Sequence, residues 1–320
     1  MTIVITGAAG FIGSHLSEHF VKLGHLVIGI DNFDNFYPAK FKELNLSALI
    51  ENKSFQLYKT DIRNQEEMNN IFSSNSVDVV IHLAAKAGVR PSIDSIAAYY
   101  DVNVNGTVNL LESMRIHGVK KLLFASSSSI YGNNHKVPFT EADIVDNPIS
   151  PYASTKKSGE LLCYVYHHLY NFDITCLRFF TVYGPRQRPD LAIHKFIRLI
   201  DEGKPIPFYG DGNTARDYTY IDDIIEGINC AFQHLGGYNI YNLGESQVIS
   251  LSTLLKTIEN SLNKKATLTR LPLQPGDVTK TYADISKASS EIGYHPTYNF
   301  ETGINRFVEW YNNNKAFLYR

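Results

Sequence analysis

Apolar and polar positions along the first half of the chain follow two alternating patterns. Short apolar runs, which are typical of buried strands, occupy residues 3–5, 26–30, 55–58, 77–83, 121–126 and 174–180. The stretches between them are typical of amphipathic helices, over residues 11–23, 65–72, 102–117 and 152–170. Strands separated by helices pair in parallel with right-handed crossovers. The pattern therefore predicts an α/β fold with a doubly wound parallel sheet of the Rossmann type.

The pattern becomes less regular after residue 180, where loops are more frequent. Glycine and proline mark three of them, at 184–185, 210–212 and 274–277. Such loops suit a lobe that closes over a ligand. An apolar run at 238–243 predicts one more strand, which returns to the main sheet. We therefore expect a Rossmann nucleotide-binding domain over 1–180, rejoined by 218–243, and a smaller, interleaved C-terminal α/β substrate lobe over 181–217 and 244–320.

The length, net charge, hydropathy and cysteine content of the chain narrow the class of protein. A length of 320 residues accommodates a nucleotide-binding domain plus a lobe, and a formal net charge of -2 gives no reason to expect nucleic acid or an anionic membrane as a partner. No segment approaches the ~20 apolar residues that a membrane span needs, and we expect no signal peptide after Met1. Cys163, Cys176 and Cys230 are scattered, which indicates neither disulfides nor a metal site and fits the cytoplasm.

A glycine motif over residues 7–13 follows the first predicted strand and opens the first helix. Gly7 permits a tight turn, Gly10 lets the backbone approach a pyrophosphate, and Gly13 lets the helix pack closely on the sheet. The positive end of the helix then faces the phosphates. Asp31 ends the next strand, 18 residues after Gly13, where a carboxylate accepts hydrogen bonds from both adenosine-ribose hydroxyls and repels a 2′-phosphate. Since the next basic residue is Lys40, the motif favours NAD over NADP.

Further cofactor contacts are expected where the neighbouring strands end. Asp61 follows the third strand, near the adenine, and either accepts a hydrogen bond from the adenine amine or caps the next helix. Small side chains after the fourth strand let the cofactor ribose approach the backbone. The residues predicted to contact the cofactor in and around these strand ends are Phe11, Ile12, Asn32, Asp61, Ile62, Leu83, Ala84, Ala85 and Lys86.

Tyr152 and Lys156 stand four positions apart on one predicted helix, so both side chains point the same way. A free tyrosine has a pKa of about 10, but a nearby ammonium and a positive nicotinamide stabilise the phenolate and lower that pKa. Lys156 also holds the nicotinamide ribose, and a serine from the run at 126–129 hydrogen-bonds the reacting oxygen. A plain helix surface and a polar turn are the simpler explanations. Together with the glycine motif, however, these residues predict hydride transfer at a carbinol carbon.

With these motifs, nearly the whole chain resembles the extended short-chain dehydrogenase/reductases, and among them the nucleotide-sugar 4-epimerases. The resemblance also rests on Asn103, Tyr131-Gly132, Arg178-Phe179-Phe180, Arg216-Asp217-Tyr218 and Gly276-Asp277. It implies that Ser127, four positions before the Tyr-Gly pair, assists catalysis. It further implies cofactor contacts from Asn103 and Phe179, and a nucleotide diphosphate bound by Arg216.

Two stretches, 87–93 and 178–190, are most similar to the UDP-glucuronate 4-epimerases. In that group the residues that correspond to Thr181 and Arg188 hold the sugar carboxylate, a role that a hydroxyl and a guanidinium suit. The alternative is that Arg186 and Arg188 are solvated loop charges. The substrate-binding residues implied by the resemblance are Arg90, Ser127, Ser128, Ser129, Tyr152, Thr181, Arg188, Arg216 and Asp277.

The resemblance implies an isomerase that uses NAD to epimerise C4 of a UDP-sugar, with UDP-glucuronate to UDP-galacturonate as the favoured reaction. Transient oxidation gives a 4-keto sugar, which turns in the site and takes hydride back on its opposite face, so net redox is zero. An epimerase of UDP-glucose or UDP-N-acetylglucosamine is the first alternative. Ser128 and Ser129 stand where sugar 4,6-dehydratases carry Asp-Glu and UDP-glucuronate decarboxylases carry Glu, which disfavours both. A non-catalytic NAD sensor is disfavoured because Tyr152 and Lys156 are both present.

Apolar residues on two predicted helices bear on the oligomeric state. Leu110 on the helix at 102–117, and Leu161, Leu162 and Val165 on the helix at 152–170, add to the apolar surface of those helices. Members of the family commonly pair through these two helices, so the resemblance implies a homodimer built around a four-helix bundle. Burial of the same residues inside a monomer is the alternative.

Overall fold

The computed structural model describes residues 1–272 and 280–319. Its strands are β1 (Thr2–Thr6), β2 (Leu26–Ile30), β3 (Phe55–Tyr58), β4 (Val79–His82), β5 (Lys121–Ser127), β6 (Asp173–Phe179), β7 (Thr181–Tyr183), β8 (Ile206–Tyr209), β9 (Ala215–Tyr220), β10 (Tyr238–Leu243), β11 (Val248–Ser250) and β12 (Leu268–Leu271). Seven of these strands form one sheet in the order β10-β6-β5-β4-β1-β2-β3, with every neighbouring pair parallel. The predicted doubly wound parallel sheet is therefore confirmed.

Helices cover both faces of this sheet. They are α1 (Phe11–Lys22), α2 (Ala39–Leu46), α3 (Gln65–Ser74), α4 (Val89–Asp94), α5 (Ile96–Tyr100), α6 (Gly106–Ile116), α7 (Pro151–Tyr170), α8 (Ala192–Asp201), α9 (Ile221–Gln233), α10 (Leu251–Leu262), α11 (Ser286–Ile292) and α12 (Phe300–Tyr319). On β1, Ile3 and Ile5 pack into one hydrophobic core and Val4 into the core on the opposite face. Both faces of the strand are thus buried, which is why its sequence is an unbroken apolar run. Within residues 1–272 and 280–319, none of the helices combines the length and the hydropathy that a transmembrane span requires.

The segment between β4 and β5 departs from the prediction of one helix at 102–117. Two short helices, α4 and α5, precede a π-helical turn at Asp101–Asn105, and α6 follows without a break. The π turn lets the Asn103 side chain bond both main-chain groups of Lys86, at 2.8 and 3.0 Å. Such turns occur frequently at functional sites. Since the bonded residues are far apart in the chain, apolar periodicity gives no sign of this turn.

Helix α2 also lies where periodicity predicts no element. Its buried positions include Phe41 and Lys42, so a lysine occupies part of the face that an amphipathic helix would fill with apolar side chains. The apolar stripe is therefore broken, and the helix forms through contacts that are distant in sequence.

Helix α7 begins and ends at well-defined caps. The Ser150 hydroxyl accepts a hydrogen bond from the Ala153 amide at 3.1 Å, and Pro151 occupies the first position. Asn171 terminates the helix in the left-handed conformation, with φ of 54°. The helix packs against β5 and β6, so its first two turns carry Tyr152 and Lys156 to the edge of the sheet where these strands end.

Of the described strands after β6, β10 joins the main sheet and the others form two small sheets. Strand β9 pairs in parallel with β7 and antiparallel with β11, and β8 pairs in parallel with β12. Strand β10 pairs with β6 at the edge of the main sheet. Between β9 and β10, helix α9 packs against α1. The chain therefore returns to the main sheet once before it ends in α10 to α12.

The three cysteines are buried and unpaired. Cys163 on α7 and Cys176 on β6 lie in one hydrophobic core, and Cys230 on α9 lies in the core on the other face. Burial raises the pKa of the Cys176 thiol well above its ordinary value and that of Cys230 to about 11. Thiols in such surroundings stay protonated and unreactive.

Candidate active site

A cleft of about 590 Å³ opens at the edge of the main sheet where β1, β2, β4, β5 and β6 end. This carboxyl edge is where doubly wound sheets bind their ligands. The predicted site residues that line the cleft are Gly7, Gly10, Phe11, Ile12, Gly13, Asp31, Asn32, Asp61, Ile62, Leu83, Ala84, Ala85, Lys86, Ser127, Tyr152, Lys156, Phe179, Thr181 and Arg188. The fold thus brings the predicted cofactor, catalytic and carboxylate-binding residues into one space.

The glycine turn between β1 and α1 forms one end of the cleft, which we call the cofactor end. Gly7 has φ of 72°, and its amide donates to the Ile30 carbonyl at 2.7 Å, which holds the turn against β2. A Cβ on Gly13 would lie 2.1 Å from the Gly7 carbonyl oxygen, and a Cβ on Gly7 would lie 2.9 Å from the Ala84 nitrogen. Neither position has room for a side chain. Gly10 is the N-cap of α1, and no side chain of the described residues caps the helix, so its first amides are left for a ligand, as in anion sites at helix N-termini.

Asp31 is buried at the end of β2 among hydrogen-bond donors. Its carboxylate accepts from the amides of Ala9 and Phe33, at 3.1 and 2.8 Å, and from the Lys42 ammonium at 2.9 Å. The sequence interpretation names Lys40 as the next basic residue, yet it is Lys42 that reaches Asp31. Lys42 is only 8% exposed and lines the cleft. Helix α2 brings it there, and without that helix in the prediction the sequence gives no signal for the pair.

Asp61 follows β3 but does not cap α3. The cap is Asn64, whose side chain accepts from the Glu67 amide at 3.2 Å. Asp61 accepts instead from the Asn32 side chain at 2.7 Å and from the Arg63 guanidinium at 3.0 and 2.9 Å. The bonds from Arg63 hold the pKa of the Asp61 carboxyl well below its usual range. The capping role is therefore wrong, and the contact with adenine stays a prediction.

Tyr152, Lys156 and Ser127 meet in the middle of the cleft. Lys156 Nζ donates to the Ala125 carbonyl at 2.7 Å and lies 6.0 Å from the centre of the Tyr152 ring. Burial lowers the pKa of Lys156 to about 8. Burial also raises the pKa of Tyr152, while a hydrogen bond with Ser127 and the charge of Arg188 lower it. With burial the largest effect, the phenol stays protonated at neutral pH until further positive charge enters the cleft.

Ser127 is the last residue of β5 and is oriented by its neighbours. Its hydroxyl donates to the Ser129 hydroxyl at 3.0 Å and accepts from the Ser129 amide at 3.2 Å. Ser128 and Ser129 belong to a 3₁₀ turn at Ser128–Tyr131 and do not line the cleft. Within the serine run, Ser127 therefore faces the cleft, and Ser129 holds Ser127 in place by hydrogen bonds.

Arg188 lines another part of the cleft, which we call the sugar end after the predicted role of this residue. Its guanidinium donates to the Ala87 carbonyl at 3.3 Å and to both carboxylate oxygens of Asp190, at 3.0 and 2.8 Å. It also lies 5.0 Å from the centre of the Phe36 ring. With 16% of its side chain exposed, Arg188 is not a solvated loop charge. Thr181, at the start of β7, lines the cleft with it.

The neighbouring cation has a different position. Arg186 has a positive φ of 66° and pairs with Glu18 on α1 at 2.6 Å, outside the lining of the cleft. Of the two arginines in this loop, only Arg188 lines the cleft, so the two are not equivalent candidates for anion binding.

The loop between β2 and α2 joins the walls of the cleft. Asp34 pairs with Lys86 across the cleft at 3.3 Å, and Phe36 lies against Arg188. Both loop residues line the cleft. Sequence reasoning missed them, because each of these contacts joins segments that are distant in the chain.

Asn103 does not line the cleft, but it is hydrogen-bonded to Lys86, which does. Besides its two bonds to the Lys86 backbone, its amide donates to the Thr155 hydroxyl at 3.0 Å. It thereby ties the segment after β4 to α7. The predicted contact of Asn103 with a cofactor stays a prediction.

Arg90 and Arg216, both predicted to bind substrate, also lie outside the lining. Arg90 on α4 lies 5.3 Å from the ring centre of Tyr209 on β8, and Arg216 on β9 donates to the Ala215 carbonyl at 2.9 Å. Asp277 lies outside the described residues. The roles of these three residues stay predictions.

The side chains in the cleft suit proton transfer and anion binding. In residues 1–272 and 280–319, no three His, Cys, Asp or Glu side chains come together as a metal site. The cleft offers hydroxyls from Ser127, Tyr152 and Thr181, and positive charge from Lys156 and Arg188. Such a set handles a hydroxyl proton at its centre and a carboxylate at one end.

Comparisons with known proteins agree with this arrangement. The family described as GDP-mannose 4,6 dehydratase matches residues 4–307. UDP-glucuronate 4-epimerase from Thermodesulfobacterium geofontis is 46% identical over 312 residues, which are 97% of this chain and 96% of that protein. UDP-glucuronic acid 4-epimerase from Bacillus cereus, crystallised with UDP-glucuronic acid and NAD, is 39% identical, with a TM-score of 0.92 over 98% of this chain and 99% of that one.

A solved structure with a different substrate is also similar. UDP-glucose 4-epimerase from Thermotoga maritima, crystallised with UDP-glucose, is 32% identical, with a TM-score of 0.91 over 98% of this chain and all of that one. The family match runs from within β1 through the glycine turn and α7 into α12. The chain therefore belongs to the GDP-mannose 4,6-dehydratase-like family of extended short-chain dehydrogenase/reductases, and its relatives there include UDP-glucuronate 4-epimerases.

Proposed function

We propose that the protein is an NAD-dependent isomerase that converts UDP-glucuronate to UDP-galacturonate by epimerisation at C4. The observation that carries the proposal is the meeting of Tyr152, Ser127 and Arg188 in one cleft with a glycine turn of the dinucleotide-binding type. Tyr152 and Ser127 supply proton transfer. Arg188 supplies the cation that distinguishes a hexuronate from a neutral hexose.

The relatives support the substrate class. The Thermodesulfobacterium geofontis relative is named a UDP-glucuronate 4-epimerase, and the Bacillus cereus enzyme was crystallised with UDP-glucuronic acid and NAD. The family description names a dehydratase, but this chain has Ser128 and Ser129 where the resemblance expects dehydratases to carry acids. Without an acid at those positions, elimination and decarboxylation are less favoured than epimerisation.

The cofactor end fits NAD. Gly7 and Gly13 leave room for the backbone alone, so the amides that begin α1 reach the pyrophosphate. Asp31, oriented by Lys42, receives the adenosine-ribose hydroxyls. We assign the adenine to the neighbourhood of Asp61 and the nicotinamide to that of Lys156 and Phe179. When bound, NAD accepts a hydride from the sugar C4 and gives it back, which leaves no net redox change.

Tyr152 takes the proton of the 4-hydroxyl and returns it after the sugar has turned. Ser127, which lines the cleft with Tyr152, holds the 4-oxygen on the proton path. Lys156 has a pKa of about 8 and is mostly protonated at neutral pH, so its charge favours the phenolate. Its bond to the Ala125 carbonyl keeps the ammonium beside the ring. The three side chains thus act together on one proton.

Besides recognising the sugar carboxylate, Arg188 and Thr181 protect it against loss as carbon dioxide. The 4-keto form of a hexuronate is a β-keto acid, which loses carbon dioxide when the breaking bond aligns with the ketone. When a ligand carboxylate replaces some of its bonds to Asp190 and Ala87, the planar guanidinium of Arg188 binds that carboxylate at two points, which fixes the orientation of the bond. We assign Arg216 to the nucleotide diphosphate; for Arg90, Ser128, Ser129 and Asp277 the resemblance implies other contacts with the substrate.

Product analysis tests this proposal. Purified protein is incubated separately with UDP-glucuronate, UDP-glucose and UDP-N-acetylglucosamine, with and without NAD, and the products are identified by NMR. We expect UDP-galacturonate from the first, with little UDP-pentose. A pentose product would show that the carboxylate is not protected. Turnover of the neutral sugars alone would contradict the role of Arg188 and favour the activity named for the Thermotoga maritima relative.

We further propose that the protein is a homodimer that pairs through α7 and the helices before it. On α7, Leu161, Tyr164, Val165 and Leu169 are exposed at three- and four-residue spacing, which makes an apolar stripe on its outer face. Leu110 is fully buried and takes no part. Sedimentation of the wild type and of Leu161→Lys tests this proposal, since a dimer that pairs through the stripe would dissociate in the variant.

The proposed division into lobes follows the same reasoning. Residues 1–180 with 218–243 bind the cofactor, and 181–217 with 244–320 bind the nucleotide sugar. This division is supported by the pairing of β10 with β6 and by the separate small sheets. We also propose that the protein works in the cytoplasm, a reducing compartment that suits three unpaired, buried cysteines.

A further inference from the structure

Tyr131 and Arg178 belong to motifs for which the proposed mechanism has no use, yet both take part in one buried network. Arg178 on β6 donates to the two carboxylate oxygens of Glu160 on α7, each at 2.9 Å, and both side chains are only 2% exposed. Another nitrogen of the same guanidinium donates to the Tyr131 hydroxyl at 2.9 Å. A charged pair this deeply buried holds one geometry, because breaking any of its bonds leaves a polar group unpaired.

The ion pair is hydrogen-bonded to both ends of the segment 126–131, which contains Ser127. At the start of the segment, the Ser126 hydroxyl donates to Glu160 Oε1 at 2.6 Å. At its end, the Tyr131 hydroxyl accepts from Arg178 and donates to the Asn242 side chain at 2.7 Å. Ser127 lies between these two anchors. Its position is therefore set by a rigid frame on either side.

Glu160 also connects this frame to the helix of the proton-transferring tyrosine. It stands eight positions after Tyr152 and four after Lys156 on α7, on the same side of the helix. Arg178 precedes Phe179, which lines the cleft. The ends of β5 and β6, the 3₁₀ turn and α7 thus meet at a single ion pair.

We propose that Ser126, Glu160, Arg178 and Tyr131, which we call the buried clamp, set the separation between the Ser127 and Tyr152 hydroxyls. Glu160, Arg178 and Tyr131 do not line the cleft, so they are positioning residues that act through Ser127 and Tyr152. The proposal rests on the proposed function only in taking these two hydroxyls as the pair that handles the sugar proton.

Tyr131→Phe is the gentlest way to loosen the clamp. It removes one hydroxyl and keeps the ring, which stacks on Phe139 at 4.9 Å between centroids. We expect kcat for UDP-glucuronate to fall on the order of 10- to 100-fold, because small displacements of reacting groups have effects of that size. The KM should change by less than about twofold, since the sugar contacts are untouched.

Tyr311→Phe is the matched control. Tyr311 on α12 is also a buried tyrosine whose hydroxyl bonds a charged partner, Asp201, at 3.2 Å, but it lies outside the cleft lining. Both variants should lose some thermal stability. Only Tyr131→Phe should lose kcat, and equal kcat values for the two variants would overturn the proposal.

A double variant tests the route of the effect. In a Ser127→Ala background, the clamp has no hydroxyl left to position, so adding Tyr131→Phe should lower kcat by less than about twofold further. If the two losses multiply instead, Tyr131 acts independently of Ser127 and the proposal fails.

A pH titration of Tyr152, which needs no substrate, tests the buried clamp independently of the proposed function. The ultraviolet absorbance of tyrosinate, taken as the difference between a protein and its Tyr152→Phe counterpart, reports the ionisation of Tyr152. Lys156, Arg188 and Tyr99 also face that ring and are unchanged by Tyr131→Phe. We expect the variant to need a higher pH for half-ionisation, because a displaced Ser127 hydroxyl can no longer turn from Ser129 to donate to the Tyr152 phenolate. An unchanged midpoint would overturn the clamp even if the wild type epimerises no sugar.

Discussion

The two ends of the cleft are built in different ways. At the cofactor end the backbone itself sets the shape, and a Cβ on Gly13 would lie 2.1 Å from a neighbouring carbonyl oxygen. At the sugar end a side chain sets the shape, since Arg188 is held by Asp190 and by the Ala87 carbonyl. A backbone cradle cannot adjust, whereas a guanidinium can exchange partners when a ligand carboxylate arrives. The difference suits the proposed reaction, in which NAD stays fixed while the hexose turns.

Gly13→Ala should break the cofactor end most completely. The added Cβ forces α1 away from the turn, so we expect NAD affinity to fall on the order of 100-fold or more. Isothermal titration calorimetry measures it. Gly236→Ala is the matched control, because a Cβ there meets no atom within 4 Å and the backbone is ordinary. Affinity that stays within about tenfold of the wild type would contradict the rigid cradle.

Tyr152→Phe should leave both ends intact and stop the chemistry between them. We expect turnover of UDP-glucuronate to drop on the order of 10³-fold, the usual loss for a general acid–base, with NAD affinity unchanged. Steady-state kinetics and calorimetry on one preparation measure the two quantities. Turnover close to that of the wild type would mean that another group moves the proton.

Arg188→Met should weaken the sugar end selectively. Loss of a charge-assisted carboxylate contact should raise the KM for UDP-glucuronate about 10- to 100-fold. Binding of UDP, measured as competitive inhibition, should be nearly unchanged. Arg186→Met is the control, since Arg186 pairs with Glu18 outside the cleft lining. An equal effect of the two substitutions on KM would show that general charge rather than a built site binds the sugar.

The smallest predicted effect is on the free energy of unfolding. It concerns Lys156, which lies in the middle of the cleft. Its pKa is lowered to about 8 in the fold from about 10.5, so between these values the unfolded chain binds more protons than the folded one. The free energy of unfolding of cofactor-free protein should therefore rise with pH in that window, by about 1 kcal/mol from pH 8 to 9. Denaturant unfolding of the wild type and of Lys156→Met measures the difference, and parallel pH profiles would contradict the shifted pKa.

The cofactor end is also the part of the site that sequence predicts well. The glycine spacing, the strand before it and Asp31 after the next strand are local features, and the structure brings them together as expected. The doubly wound sheet is predictable for the same reason, since β1, β2 and β4 each contain a buried, unbroken apolar run.

Contacts between distant segments explain what sequence reasoning missed. Lys42 reaches Asp31 from a helix without a clear apolar stripe, and Asn103 bonds Lys86 through a π turn. Phe36, from the loop after β2, lies against Arg188, from the loop after β7. In each case the residue types are ordinary, and only the packing of the chain shows which partners they have.

Chemical labelling of the buried cysteines can report local opening of the folded chain. Cys163 lies on the helix that carries Tyr152, and Cys176 lies on the strand against which that helix packs. A thiol reagent reaches either sulfur only when this helix and strand separate, so the labelling rate measures the free energy of that local opening. A ligand bound in the cleft should slow labelling of this pair and leave Cys230, on the other face, as an internal reference.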